Sequence, residues 1–279
     1  MKIAAFYENI LEGAERQSIS AGEAVKDLMK SGLELLYVSS WVLENRRDEL
    51  DEVLRTTGVG VEGLHGFFDF GSHPEDESYQ GLIQEAVLLN ATNVLLVPGM
   101  IPQTQMAERD GRIASMIQAL KQAVAYGEQH GVAVSMEDFD SIDAPYCTIG
   151  GLEYFFQNVP GLKCSFDTGN FVMYGEDEFD AFLRFQDRLC TVHLKDRLRE
   201  PSYPDDRYKT CADGSKVYAC STGAGYLRIS EILDALVKQG YTGNVIVELY
   251  DYSPSHMLEG IRQSVLWTRQ YLKGQERTA

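Results

Sequence analysis

Residues 132–138 read VAVSMED, residues 163–167 KCSFD, residues 190–196 CTVHLKD and residues 244–250 NVIVELY. Each is a short apolar run, rich in β-branched residues, that carries an ionisable residue at or near its end. That is how a strand buried on both faces of a parallel sheet looks when its last residues open onto a site. Working outward, four runs of the same kind come earlier: KIAAFY (2–7), LELLYVS (33–39), GLHGFFDF (63–70) and NVLLVPG (93–99). Between the runs lie segments with apolar residues three and four apart, such as YQGLIQEAVLLNA (79–91) and SEILDALVKQGY (230–241), the spacing of a helix with one buried face. Several of these close on a glycine just before the next strand, at Gly32, Gly131 and Gly240, where a left-handed residue ends a helix at little cost. Eight strands alternating with eight helices predict a single closed (β/α)8 barrel over residues 1–279. The competing fold is an open doubly wound sheet. Its nucleotide-binding form lacks support, because neither a Gly-x-Gly-x-x-Gly turn nor a phosphate loop is found.

Composition narrows the function. The chain has 279 residues, 44% of them hydrophobic, and a formal charge of −17. That is enough for one large core, while the anionic surface would repel a phosphate backbone, so nucleic acid is not an expected partner. The longest apolar runs, such as VLLVPGMI, are far short of the roughly 18 residues of a membrane helix. The N-terminal residues, with Glu8, Glu12 and Glu15, lack the pattern of a secretory signal, so a cytoplasmic location and no membrane association are expected. The five cysteines (147, 164, 190, 211 and 220) are odd in number and scattered. They do not form a disulfide framework, and Cys164 and Cys190 read as small core residues.

The chemistry sits at strand ends. Glu137, Asp167, His193 and Glu248 close four successive strands, and in a (β/α)8 barrel those ends meet at one mouth. Burying four ionisable groups there is costly unless something compensates their charge. Three carboxylates and an imidazole suit one divalent cation, with Mn²⁺ the first choice and Mg²⁺, Co²⁺ and Zn²⁺ as alternatives. One segment breaks the rhythm. Residues 200–222, EPSYPDDRYKTCADGSKVYACST, have no helical period and follow the strand that bears His193; they read as a long loop forming a lid or wall of the site.

These four residues, with Asp167-Thr-Gly-Asn-Phe171, His193-Leu-Lys-Asp-Arg197, Gly223-Ala-Gly225 and Gly240-Tyr-Thr-Gly243, resemble the xylose isomerase-like barrels and, within them, the sugar phosphate isomerase/epimerase group. The resemblance covers the whole chain in strand rhythm and residues 132–250 in motif. It implies a metal held by Glu137, Asp167, His193 and Glu248, and an isomerase or epimerase of a monosaccharide or sugar phosphate that works through a metal-stabilised cis-enediolate. Glu137 and Glu248 would be the catalytic pair, one removing a proton and the other returning it on the opposite face. Ketose 3-epimerases of the group place a His three residues after the Asp ligand and an Arg six after the His ligand. Here Arg199 meets the second position, whereas the first is Asn170, which cannot shuttle a proton.

Further candidates for substrate contacts are His65 at the end of the third strand and Lys195 beside the His ligand; Lys195 and Asp196 are also expected to form a pair that orients that histidine. Trp41 and Phe68–Phe70 could pack a sugar ring or belong to the core. Cys211 and Cys220 offer too few ligands for a second metal. Within the same resemblance, a lyase or dehydratase acting on a sugar-like ketone, as in inosose or dehydroshikimate dehydratases, is the alternative. A three-zinc DNA-repair endonuclease and a non-catalytic sugar-binding barrel are more distant ones. The expected partner is a small sugar, and related barrels often form dimers or tetramers, so a homo-oligomer is expected by analogy.

Overall fold

The computed structural model describes residues 1–276. Eight parallel strands close into a ring: β1 (Ile3–Phe6), β2 (Leu35–Ser39), β3 (Gly60–Phe67), β4 (Asn93–Val97), β5 (Ala133–Met136), β6 (Lys163–Asp167), β7 (Leu189–Leu194) and, closing back on β1, β11 (Val245–Val247). Three further strands, β8 (Asp196–Leu198), β9 (Tyr208–Thr210) and β10 (Lys216–Cys220), form a separate antiparallel sheet in the order β8-β10-β9. This is the (β/α)8 barrel that the periodicity predicts. The glycines at 32, 131 and 240 are all left-handed, with φ of 119°, 70° and 71°.

Strand alternation sorts the side chains into two regions. One set, including Leu36, Val38, Leu64, Val94, Leu96, Val134 and Val192, packs outward under the helices and forms the main core. The other set faces the lumen, where Ala4, Phe6, Tyr37, Leu95 and Ile246 make a small apolar cluster. Beside it the hydroxyls of Ser135, Ser165 and Thr191 bond one another across β5, β6 and β7 at 2.8 and 2.9 Å. The lumen is thus packed, and the space for a ligand lies above it at the C-terminal ends of the strands.

Two expectations need correction. Residues 200–222 are not an irregular loop, because β9 and β10 pair within them and β8 follows β7 after one residue. A helix also spans Tyr7–Gln17 immediately after β1, where none was predicted. It buries Asn9 and Gly13 beside Ile10, Leu11 and Ala14, which thins the apolar period. Among the described residues, no helix is long and apolar enough to cross a membrane.

Candidate metal centre

Each of the four candidate ligands is placed by a strand end. Glu137 follows β5 directly, Asp167 ends β6, His193 is the penultimate residue of β7 and Glu248 follows β11. Asp167 and His193 are opposite each other in the β6–β7 register, and the amide of Glu248 donates to the carbonyl of Leu194 at 3.3 Å. The structure therefore brings together four residues distant in sequence: one ligand atom from each lies within 4.8 Å of the others.

Local sequence explains why β6 and β7 converge so closely. The Thr168 hydroxyl donates to the carbonyl of Lys195 at 2.9 Å and accepts from the Lys195 amide at 3.0 Å. A Cβ on Gly169 would meet that same carbonyl at 2.7 Å, so the Asp-Thr-Gly step admits only glycine at its third position. The Gly169 amide donates to Asp167 Oδ1 at 2.6 Å and fixes the carboxylate.

The donor set fits a divalent cation. Glu137 Oε2, Asp167 Oδ2, Glu248 Oε2 and both ring nitrogens of His193 are buried and have no hydrogen-bond partner. Burial without a partner is costly for any of these groups, and a shared cation satisfies all four residues at once. His193 Nδ1 lies 3.1 Å from both Glu137 and Glu248, close but not aligned as hydrogen bonds.

Electrostatics separates the carboxylates. Burial pushes Glu137 up, against the pull of His193, and it pushes Asp167 well up despite Lys195. Burial also works against charge on Glu248, but Lys195 and His193 outweigh it and hold Glu248 below the usual carboxylate range. Lys195 Nζ lies 2.7 Å from Glu248 Oε1 and donates to Asn170 Oδ1 at 3.0 Å. Burial alone would depress His193; the carboxylates of Glu137 and Glu248 together push it up to about 10 in the metal-free protein. A coordinating imidazole must be neutral. At pH 8, below that value, the ring carries a proton that a cation must displace. Loading the metal-free protein with Mn²⁺ at pH 8 is therefore expected to release at least about one proton, and apparent affinity should rise with pH toward 10. Calorimetry in buffers of different ionisation enthalpy reads the release; no release would mean that His193 does not coordinate.

Above the cluster is a cavity of about 230 Å³, lined in part by Glu137, Glu248, Asn170, Lys195 and His65. It is smaller than typical sites for drug-sized ligands, roughly 300–1,000 Å³, which limits it to a small molecule. His65 stacks in parallel with Tyr37, and its Nε2 lies 3.4 Å from Glu8 Oε1. Arg199 is not in this cavity. The chain turns outward after β8, Arg199 is exposed and its guanidinium stacks over Tyr226 at 4.6 Å, in a separate groove with Cys211 and Arg228. Arg197, two residues earlier on β8, is fully buried, and its Nη2 lies 3.3 Å from Asp140 Oδ2. Asp196 accepts from the amides of Gly223 and Gly225, both at 2.9 Å, and so does not form with Lys195 the pair expected to orient His193. Trp41 is 52% exposed on the short helix Ser40–Asn45, and Phe68 and Phe70 stack on each other against the core. The aromatic wall of the cavity is instead Phe6, Phe67, Phe139 and Tyr250.

Sequence reasoning missed Asp140, Arg197, Lys209 and Asp251. Asp140 follows Glu137 by three residues and Arg197 continues the inward parity of His193 and Lys195, so both carried a usable signal. Lys209 carried none, since its strand has only three residues.

Residues 25–271 match the family described as xylose isomerase-like TIM barrel. The chain belongs to that family. Within this xylose isomerase-like group, an inosose dehydratase of Lacticaseibacillus casei is 33% identical over 85 residues, which are 30% of this chain and 28% of that protein's length. Among solved structures, the IOLI protein with a bound zinc atom aligns with a TM-score of 0.74 at 17% identity, covering 98% of this chain and 99% of that one. A D-psicose 3-epimerase of Clostridium cellulolyticum aligns at 0.70 and 16% identity, covering 97% and 99%. At such identities these likenesses carry the barrel and not the reaction.

Proposed function

We propose that this barrel is a divalent-metal-dependent isomerase or epimerase of a sugar or sugar-like ketone, which abstracts the proton next to the carbonyl. The observation that carries this reading is the convergence of four buried residues with unpartnered donor atoms beneath a small cavity whose wall includes Glu137 and Glu248. Glu137, Asp167, His193 and Glu248 would hold the cation, which would supply the positive charge to polarise the carbonyl and offset the negative charge on its oxygen. Mn²⁺ is the ion we assign first, on the oxygen-rich donor set. Glu137 removes the proton, and Glu248, on another strand, returns it. Asn170 and His65 hold substrate hydroxyls.

A second reading has a specific observation behind it. Lys195 ties up Glu248 Oε1 at 2.7 Å, the oxygen that Glu248 would need for symmetric proton transfer. A base on one side and an ammonium-carboxylate pair on the other suit departure of a protonated hydroxyl, as in a dehydratase, and the local likeness to an inosose dehydratase supports it.

The test is elemental analysis of the purified protein, followed by incubation of the Mn²⁺-loaded form with D-fructose, D-psicose, D-tagatose, inosose and 3-dehydroshikimate. About one divalent ion per chain is expected, together with turnover of one compound. Unchanged product mass with altered stereochemistry identifies isomerisation, and loss of one water identifies dehydration. A protein that takes up no divalent ion would end both readings.

A further inference from the structure

Lys209 sits at the centre of β9 between Tyr208 and Thr210, both exposed. The pleat turns its side chain the other way, into the lining of the 230 Å³ cavity beside Lys195, Asn170, Glu137 and Glu248. Its Nζ lies 3.3 Å from Asp140 Oδ1 and 3.6 Å from Asp251 Oδ2. An ammonium has three donors, so two carboxylates leave one for a ligand. Asp140 is also approached by Lys195 at 3.4 Å and by Arg197 at 3.3 Å. Those two side chains are 4% and 0% exposed, whereas that of Lys209 keeps 34%. Of the three cations around Asp140, Lys209 is the most exposed to a molecule entering from solvent.

Charge decides what it would bind. Of the side chains that line the cavity, Glu137, Asp140, Glu248 and Asp251 are acidic and Lys195 and Lys209 are basic, so a bound divalent cation would bring the lining to balance. No positive charge is left over for an anionic ligand. Barrels of this kind often hold phosphate on the loops after strands seven and eight. Here the Gly223 and Gly225 amides of that region both donate to Asp196 Oδ2, and a Cβ on Gly225 would lie 2.0 Å from Asp196 Oδ1. The carboxylate of the chain itself fills the place of an anion.

From this geometry we infer that Lys209 is a specificity-determining residue, carried to the site by the inserted sheet, which donates to a hydroxyl of an uncharged polyhydroxy substrate. The inference rests on the metal-dependent sugar chemistry proposed above and adds that the substrate carries neither phosphate nor carboxylate. The test is calorimetric titration of the Mn²⁺-loaded native protein, Lys209→Met and Lys209→Arg with inosose and D-psicose, which are neutral, and 3-dehydroshikimate, which is a carboxylate. Turnover is read in parallel, and bound metal and Tm are checked for each protein. The native protein should bind one of the neutral compounds most tightly. Lys209→Met should weaken that compound tenfold or more at unchanged metal content, with Lys209→Arg between the two. Equal affinity of Lys209→Met and native protein overturns the inference. So does tightest native binding of 3-dehydroshikimate, or binding of none of the three. Neutral binding that depends on Lys209 with no turnover at all would uphold this inference and remove the isomerase and dehydratase readings.

Discussion

Glu137→Gln is expected to lose turnover about a thousandfold or more, within the range by which a positioned acid or base contributes and with some further loss from weakened metal binding. The amide keeps the size of the side chain and can still offer an oxygen to a cation, but it cannot accept a proton. The discriminating measurement is exchange of the substrate proton in D₂O, followed by mass or NMR at full metal loading. Exchange should vanish with turnover; if it persists at the native rate, another group is the base. Loss of fold does not explain the result, since the change removes one of several carboxylates crowded into a buried site. A cooperative melt of the metal-free variant, beside that of the metal-free native protein, checks this. Glu248→Gln provides the contrast. Both carboxylates face His193, but Glu248 is also the partner of Lys195, so the metal-free form of Glu248→Gln should lose more stability than that of Glu137→Gln.

Removing the cation is expected to lower Tm by several degrees. Glu137, Asp167, His193 and Glu248 are 8%, 0%, 0% and 5% exposed, and without a cation their unpaired atoms remain buried. A ligand present at a thousand times its dissociation constant stabilises the native state by about 4 kcal/mol. In a chain of this size that corresponds to a shift of roughly 5–10 °C. Thermal melts with EDTA and with Mn²⁺ read it directly, and in His193→Gln the two melts should coincide. A shift that survives in His193→Gln would place the ion elsewhere.

The ring of eight strands was legible because each strand is continuous in sequence and bounded by a helical period. The four clustered residues were legible for a related reason: an ionisable residue at the end of an apolar run cannot hide in the core. The β8–β10 sheet was not, since its strands of three to five residues stand among prolines, aspartates and glycines, and β10 is held on one side by the distant β8 (Tyr218 opposite Leu198) and on the other by a short hairpin with β9 (Lys216 opposite Thr210). Arg199 and Arg197 show how fine the margin is. Counting residues from His193 favoured the former, but inward parity ends with β8, and the guanidinium that reaches Asp140 belongs to the latter. Phe67 shows the same one-residue margin, where the aromatic run 68–70 was singled out and its neighbour lines the cavity.

The continuity of β7 with β8 limits how this protein can be re-engineered. His193 lies on β7 and Arg197 on β8, with Lys195 the one residue between the two strands, so the proposed cation ligand and the sheet that walls the cavity are joined by a one-residue stem. Grafting a different loop between residues 199 and 215 would leave that stem in register. A splice made within β7 would instead disturb the pairing with β6 and β11 that sets the height of His193 in the barrel.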